Sequence, residues 1–179
     1  MHLFYKHYNE VVQKDLILSE NPSTVAKISK PNKVSLCLGG NSSEESYVLA
    51  SLAALKIITG QTPYFTQQKS TQQNSNTSRE AVGGKLTLRG QKMYAFYHKL
   101  SFDVLPQIKQ FEGLKPPRHK KIHCFVLKDV FAFQELVPFF PYFEDLNSLQ
   151  CQFHFTTDNK AEVAVLGNGL QLCFLKGEK

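Results

Sequence analysis

The stretch Lys85-Leu86-Thr87-Leu88-Arg89-Gly90-Gln91-Lys92-Met93 gives the clearest indication of the fold. Leu86 and Leu88 alternate with polar residues, a pattern typical of a strand with one buried face. Lys85, Thr87 and Arg89 would share the opposite face, where their donor groups suit phosphate oxygens. The stretch therefore predicts a strand that turns directly into a helix, with a polar face suited to RNA.

Apolar residues at helical spacing predict three helices around this strand. An opening helix over residues 4–18, with Tyr8, Val11, Val12 and Leu16 on one face, ends before Asn21-Pro22. A capping box of Ser42 and Glu45 opens a helix over 44–59 that closes at Gly60. Its predicted buried residues are Val48, Leu49, Leu52 and Leu55. A helix over 91–105 presents Met93, Phe96, Tyr97 and Leu100 and is interrupted at Pro106.

Further strands are predicted from alternating apolar residues at Val34 to Leu38, Tyr64 to Thr66, Ile122 to Leu127 and Cys151 to Thr157. In the tail, Ala161 to Leu166 predicts a short helix before a last strand, Leu170 to Phe174, and a hairpin on Gly167-Asn168-Gly169 is the alternative. We predict one α+β domain over residues 1–179. Its antiparallel sheet would carry helices 44–59 and 91–105 on one face and leave the other face for RNA.

A polar tract interrupts this pattern. Residues 67–79 (QQKSTQQNSNTSR) cannot bury themselves, which predicts a polar hairpin loop over 67–82.

Charge is distributed unevenly along the chain. Residues 1–128 hold 18 Lys or Arg against 8 Asp or Glu, whereas residues 129–179 hold 3 against 7. Such a basic region indicates a polyanionic partner, and charge alone leaves RNA, DNA and an anionic membrane surface open. No apolar run approaches the roughly 20 residues that span a bilayer, so we expect a soluble protein without a membrane partner.

Catalytic and metal chemistry is not indicated. The four cysteines stand apart, which predicts buried free thiols in a reducing compartment. His119, His123 and Cys124 have metal-ligand spacing, but a strand over 122–127 would point His123 and Cys124 to opposite faces. The sequence shows no nucleophile elbow or Walker loop. We therefore predict no metal, no cofactor and no enzymatic activity.

Five ordered segments resemble the 5S-rRNA-binding family of ribosomal large-subunit protein five. In chain order they are YNEVVQKDL (8–16), GQTP (60–63), KLTLRGQK (85–92), PQIKQFEGL (106–114) and FQEL (133–136). Bacterial members carry a GQ-x-P turn, a K-V-T-L-R-G strand and P-x-I-x-D-F-x-G-L at the corresponding places. The resemblance covers most of residues 1–157 and implies an RNA-binding sheet face.

The resemblance also implies which side chains bind RNA. The family's turn Gln and strand Thr fall at Gln61 and Thr87, whereas its first-strand Asn falls at Cys37, a weaker donor. Binding is therefore expected to depend more on the basic residues Lys30, Lys33, Lys85, Arg89 and Lys92. The family's hairpin loop reaches the peptidyl-site tRNA, but here it offers only Lys69 and Arg79, so a weak tRNA contact and a solvated loop both stay open.

The implied role is structural. A protein of this kind would bind 5S rRNA and large-subunit rRNA in the central protuberance, near the peptidyl-site tRNA, and would contact small-subunit protein thirteen as an intersubunit bridge. The Cys at position 37, the loop poor in basic residues and the absence of Trp lead us to predict a mitochondrial ribosome, with a plastid as the alternative. The alternative function is a free RNA chaperone or regulatory RNA-binding protein.

Overall fold

A computed structural model describes residues 3–39, 44–67, 81–117, 119, 121–157 and 159–175, without the side chain of Lys160. Within these residues the chain forms a five-stranded antiparallel sheet with helices packed around it, which confirms the predicted α+β class. The strands are Pro31–Gly39 (β1), Tyr64–Gln67 (β2), Ala81–Leu88 (β3), Ile122–Leu127 (β4) and Leu149–Phe155 (β5). Their order across the sheet is β2-β3-β1-β5-β4.

The predicted helices occur in the predicted order, and the sequence did not predict the short helix Phe140–Phe143. The α-helices are Leu3–His7 (α1), Gln13–Glu20 (α2), Glu45–Thr59 (α3), Gly90–His98 (α4), Phe140–Phe143 (α5) and Lys160–Gly169 (α6). The π-helical segment Tyr8–Val12 joins α1 to α2, and a second one, Lys99–Val104, extends α4 to the 3-10 turn Leu105–Gln107. Pro106 lies in that turn and interrupts the helix as expected.

Strand β3 has the predicted alternation. Leu86 and Leu88 are 0% and 1% exposed, whereas Lys85 and Thr87 are half-buried. Gly90 adopts φ +56° and is the first residue of α4, so the chain passes from strand to helix through Arg89 alone. The strand-to-helix prediction is confirmed.

Two compact units divide the chain. One comprises residues 1–34, 88–125 and 152–179, and the other comprises residues 35–87 and 126–151. We refer to them as unit one and unit two. Strands β1, β3, β4 and β5 each contribute residues to both units.

The core of unit one is built from helical faces. Phe4, Tyr8, Val12 and Leu16 are buried at intervals of four residues along the opening helix, whereas Val11, predicted on the same face, is exposed. The predicted face of α4 is confirmed, because Met93, Phe96, Tyr97 and Leu100 are all buried. The ring of Tyr97 packs on Phe153 of β5 at a centroid distance of 4.9 Å.

The tail of unit one differs from the prediction. Helix α6 continues through Gly167 to Gly169, so the alternative of a hairpin there is wrong. The predicted last strand is also wrong, because Phe174 makes only an isolated parallel bridge to Leu114. The two glycines permit close packing: a Cβ on Gly167 would overlap the ring of Phe174, and one on Gly169 would lie 2.8 Å from Val12.

In unit two, helix α3 packs closely against β3. Its buried face is formed by Tyr47, Val48, Ser51, Ala54, Leu55 and Ile58. Leu49, predicted to be buried, is exposed because it lies one position off this stripe. The predicted capping box is wrong, because it required Glu45 to be the third residue of the helix, whereas Glu45 is the first. The N-cap residue is Glu44, which makes no side-chain capping hydrogen bond. Ser42 lies outside the described residues.

Candidate RNA interface

The predicted RNA-binding residues fall into two groups, one in each unit. The strand group, in unit two, consists of Cys37, Gln61, Lys85 and Thr87. The basic group, in unit one, consists of Lys30, Lys33, Arg89 and Lys92. Lys69 and Arg79, predicted for the loop near tRNA, lie outside the described residues, as do residues 68–80 of the hairpin loop predicted over 67–82.

Gln61 is held by the turn that ends helix α3. Gly60 adopts φ +63° and donates its backbone N–H to the Lys56 carbonyl at 2.8 Å, which closes the helix. The backbone N–H of Gln61 then donates to the Thr59 hydroxyl at 3.3 Å. These bonds fix the Gln61 backbone directly after the helix, as the G-Q sequence predicts.

The structure brings Gln61 and Thr87 together. The side-chain amide of Gln61 donates from Nε2 to the backbone carbonyl of Thr87 at 3.0 Å. This bond uses one of the two amide donors and leaves the Thr87 hydroxyl out of the interaction. Two residues predicted to bind RNA, Gln61 from the resemblance and Thr87 from the strand pattern and the resemblance, are therefore joined by a hydrogen bond between the turn and β3.

Cys37 has the weak donor character expected of a thiol at this place. Burial raises the pKa of the Cys37 thiol, and the nearby Lys85 ammonium opposes this shift with a smaller effect. The thiol is therefore uncharged at neutral pH. A protonated thiol is a weak hydrogen-bond donor, with less hydrogen-bonding capacity than an amide side chain.

Strand pairing adds a residue that the sequence did not indicate. Tyr64 of β2 lies directly opposite Lys85 of β3 in the antiparallel register, and its side chain is 52% exposed. Such cross-strand neighbours share one face of a sheet. A strand of four residues carries too little periodicity to show this pairing, which only the register reveals.

Within the basic group, the backbone of Lys30 is held by hydrogen bonds to Thr156. Its N–H donates to the Thr156 hydroxyl at 3.0 Å, and the Thr156 N–H donates to the Lys30 carbonyl at 2.9 Å. The Lys30 side chain is exposed, and Lys33 is half-buried in β1. The ammonium group of Lys30 therefore reaches solvent from a fixed point at the entry of the first strand.

Arg89 is oriented by a residue that the sequence did not single out. Its guanidinium donates from Nη1 to Oδ1 of Asn32 at 3.1 Å, and both side chains are exposed. Arg89 is also the N-cap residue of α4, where no side chain caps the helix. The first turn of α4 contains no acidic residue, and Lys92 is exposed there, so this helix end is electrostatically favourable for an anion.

The histidine and cysteine side chains form no metal cluster within the described ranges. As predicted, β4 places His123 in the interior and Cys124 in solvent. Burial lowers the pKa of His123 to about 4, so its imidazole is neutral at physiological pH. The prediction of buried thiols holds for Cys151 but is wrong for Cys124 and Cys173, which are exposed because they occupy the solvent side of their segments.

A transmembrane helix requires a minimum length and hydrophobicity. None of the helices within the described residues is both long and apolar enough to cross a bilayer.

Comparisons with known proteins agree on one family. The profile that describes the C-terminus of the ribosomal L5 family matches residues 81–174. Large ribosomal subunit protein uL5m of Reclinomonas americana is 30% identical over 177 residues, covering 96% of this chain and 97% of the relative. Large ribosomal subunit protein uL5 of Mycoplasma pneumoniae is 28% identical over 180 residues, with the same coverage of both chains. The corresponding protein of Buchnera aphidicola is 32% identical over 117 residues, covering 64% of this chain and 65% of the relative.

Proposed function

Because the chain belongs to the ribosomal L5 family of large-subunit proteins, we propose that it binds 5S rRNA through the strand group and the basic group. Its role as a structural component of the large ribosomal subunit follows from family membership. The same membership argues for a structural protein and against an enzyme.

The transition from β3 into α4 carries the proposal. Within residues 85–92 the apolar side chains are buried, while Lys85 and Thr87 are half-buried and Arg89 and Lys92 are exposed. Two cations therefore reach solvent beside a helix end without acidic residues. The donors of Lys85 and Thr87 suit the phosphates and 2′-hydroxyls of RNA, and the cations at the start of α4 suit its phosphates.

The finer placement follows from the family resemblance. We propose that the protein lies in the central protuberance, binds large-subunit rRNA as well, and contacts small-subunit protein thirteen. The loop with Lys69 and Arg79 would approach the peptidyl-site tRNA. Similarity to the uL5m protein of Reclinomonas americana supports a mitochondrial ribosome, and a plastid ribosome is the alternative. Co-sedimentation of tagged protein with cytosolic ribosomes would contradict both organellar placements.

A titration of the purified protein against two RNAs tests the 5S proposal. The probes are a 5S rRNA transcript and an unrelated structured RNA of equal length, each measured at several salt concentrations. We expect a preference for 5S rRNA that survives physiological salt. Equal, steeply salt-dependent affinity for both RNAs would show that the protein binds phosphate without selecting 5S rRNA.

The variant Thr87→Val refines this test. It removes the hydroxyl but keeps the backbone carbonyl that accepts the Gln61 amide, and valine suits a strand. We expect the preference for 5S rRNA to fall by about fivefold to tenfold, because a direct hydrogen bond is lost, with no change in the salt dependence. Thr24→Val is the matched control, since Thr24 is exposed and belongs to neither group.

A further inference from the structure

Strand β2 lies at an edge of the sheet and exposes two neighbouring aromatic rings. Tyr64 is 52% exposed and Phe65 is 58% exposed. Large apolar side chains on an edge strand promote unwanted strand pairing, so such positions usually have a partner or a protective device. The two rings are chemically similar, but the strand directs them to opposite faces.

The register assigns each ring to a face. Tyr64 lies opposite Lys85, and Phe65 lies opposite Gly84. A Cβ on Gly84 would lie 3.0 Å and 3.1 Å from the side chains of Leu52 and Leu55 in α3. Phe65 therefore belongs to the face that carries α3, whereas Tyr64 belongs to the face of Lys85 and Thr87.

We propose that Tyr64 is a stacking platform for an unpaired nucleobase of ribosomal RNA, and that Lys85 beside it neutralises the adjoining phosphate. The inference rests on the proposed RNA-binding role of the strand group and adds a base-contacting residue to it. The π-face of an exposed tyrosine accepts any base, and its two side-chain torsions make the ring inexpensive to order. The antiparallel pairing with β3 holds the ring beside the cation.

RNA suits this place because of the chemistry around the ring. Tyr64 and the strand group together supply a cation, an amide, a hydroxyl, a thiol and an aromatic ring, but no carboxylate. Aromatic rings interleaved with basic and hydrogen-bonding side chains are typical of sites for single-stranded RNA loops. The stacked base would also contribute binding energy that Cys37 cannot supply in place of an Asn.

Three substitutions on the full chain test the platform. Tyr64→Val removes the ring and keeps a strand-forming apolar residue, Tyr64→Phe keeps the ring, and Phe65→Val removes the ring on the other face. The probes are the 5S rRNA transcript, which contains unpaired loops, and a perfectly paired RNA duplex of equal length. Circular dichroism and thermal melting of each variant report the fold, which should be unchanged at these exposed positions.

Stacking predicts a specific pattern of affinities. Tyr64→Val should weaken binding to the 5S transcript about tenfold without changing the salt slope, because a base contact is lost and no charge is removed. Tyr64→Phe and Phe65→Val should bind the transcript within about twofold of the unaltered protein. The duplex offers no unpaired base, so its affinity should be the same for all three variants.

Several results would overturn the inference. These are an unchanged affinity of Tyr64→Val for the transcript, an equal loss in Tyr64→Phe, and an equal loss in Phe65→Val. Unchanged RNA binding with impaired incorporation of Tyr64→Val into subunits would instead assign the ring to a protein contact. If the unaltered protein shows no 5S preference, the proposed function fails, but a loss confined to loop-containing RNA would still support stacking by Tyr64.

Discussion

The strand group and the basic group, both predicted to bind RNA, differ in burial and in charge. All four members of the strand group are half-buried, and its side chains include a single cation. The basic group contains only cations, of which Lys30, Arg89 and Lys92 are exposed. Half-buried side chains on a sheet have restricted positions and can select a shape or a base, whereas exposed cations attract any phosphate. We therefore propose that specificity resides mainly in the strand group and affinity mainly in the basic group.

Neutralising the basic group should cause the largest loss of RNA affinity among these predictions. We expect the quadruple variant of Lys30→Gln, Lys33→Gln, Arg89→Gln and Lys92→Gln to lose about two to three orders of magnitude in affinity for both RNA probes. The magnitude of the salt slope should fall by about three, because each phosphate contact contributes about 0.7 to 0.9. The ratio of affinities for 5S rRNA and the unrelated RNA should stay the same.

The control removes the same charge from positions outside both groups. It consists of glutamine substitutions at four exposed lysines, Lys14, Lys56, Lys109 and Lys128. An equal loss of affinity in this control would mean that net charge, and not the basic group, determines binding. A loss of the 5S preference in the first variant would contradict the separation of affinity from specificity.

Low pH should reduce the folding stability of unit one, which carries the basic group. His123 is buried in unit one between Phe125 and Phe174, and its pKa is about 4 in the folded protein against an ordinary value of 6.5. Since the folded value is the lower one, the unfolded state takes up the proton first as pH falls. The stabilising contribution is therefore complete above pH 6.5 and is lost progressively towards pH 4.

The substitution His123→Phe measures this contribution. Between pH 7 and pH 4 we expect the free energy of unfolding of the unaltered protein to fall by roughly 2–3 kcal/mol more than that of the variant, as measured by denaturant titration. His119→Gln is the control, because it removes an exposed histidine and should follow the unaltered protein. Parallel pH profiles for the unaltered protein and His123→Phe would exclude His123 as the source.

The sequence correctly predicted the helices and strands in which the apolar residues follow a single spacing, either helical or alternating. The alternation in β3 and the helical spacing from Met93 to Leu100 each allow only one buried face, and the structure has that face. Apolar residues in α3 lie on more than one side of the helix, so their spacing does not specify a single buried face. The face that packs against β3 includes Ser51 and leaves Leu49 exposed. Glycine suits both close packing and chain reversal, so the sequence alone left a helix and a hairpin open at Gly167 and Gly169.

For the candidate RNA interface, the sequence suggested individual residues but not the contacts between them. The sequence suggested Gln61 and Thr87 as separate RNA-binding residues, but their hydrogen bond joins positions 26 residues apart. The contact of Arg89 with Asn32 spans 57 residues. Partners of this kind depend on strand order and register, which a single sequence does not specify, so Asn32 and Tyr64 became apparent only in the folded chain.

Placing an amide at position 37 should increase the selectivity that the strand group provides for 5S rRNA. We expect Cys37→Asn to raise the affinity for 5S rRNA about fivefold and to leave that for the unrelated RNA unchanged, because an amide adds donors and an acceptor without charge. Cys124→Asn, at an exposed cysteine of β4, is the matched control. If Cys37→Asn leaves 5S affinity unchanged or lowers it, position 37 does not contact RNA in this chain.

The smallest expected effect concerns the contact between Asn32 and Arg89. We expect Asn32→Ala to weaken RNA binding by about twofold to threefold, because the Arg89 guanidinium loses the acceptor that orients it. Stability should change by less than about 0.5 kcal/mol, since both side chains are exposed. The salt slope should stay the same in Asn32→Ala and fall by about one in Arg89→Ala.

A double-mutant cycle decides how Asn32 acts. If its only role is to orient Arg89, Asn32→Ala has no effect on affinity in an Arg89→Ala background, and the two single losses are not additive. Additive losses would assign Asn32 an RNA contact of its own, made through its amide donors. That result would place a hydrogen-bonding side chain within the basic group, and the division between a selective group and a purely electrostatic one would then be incomplete.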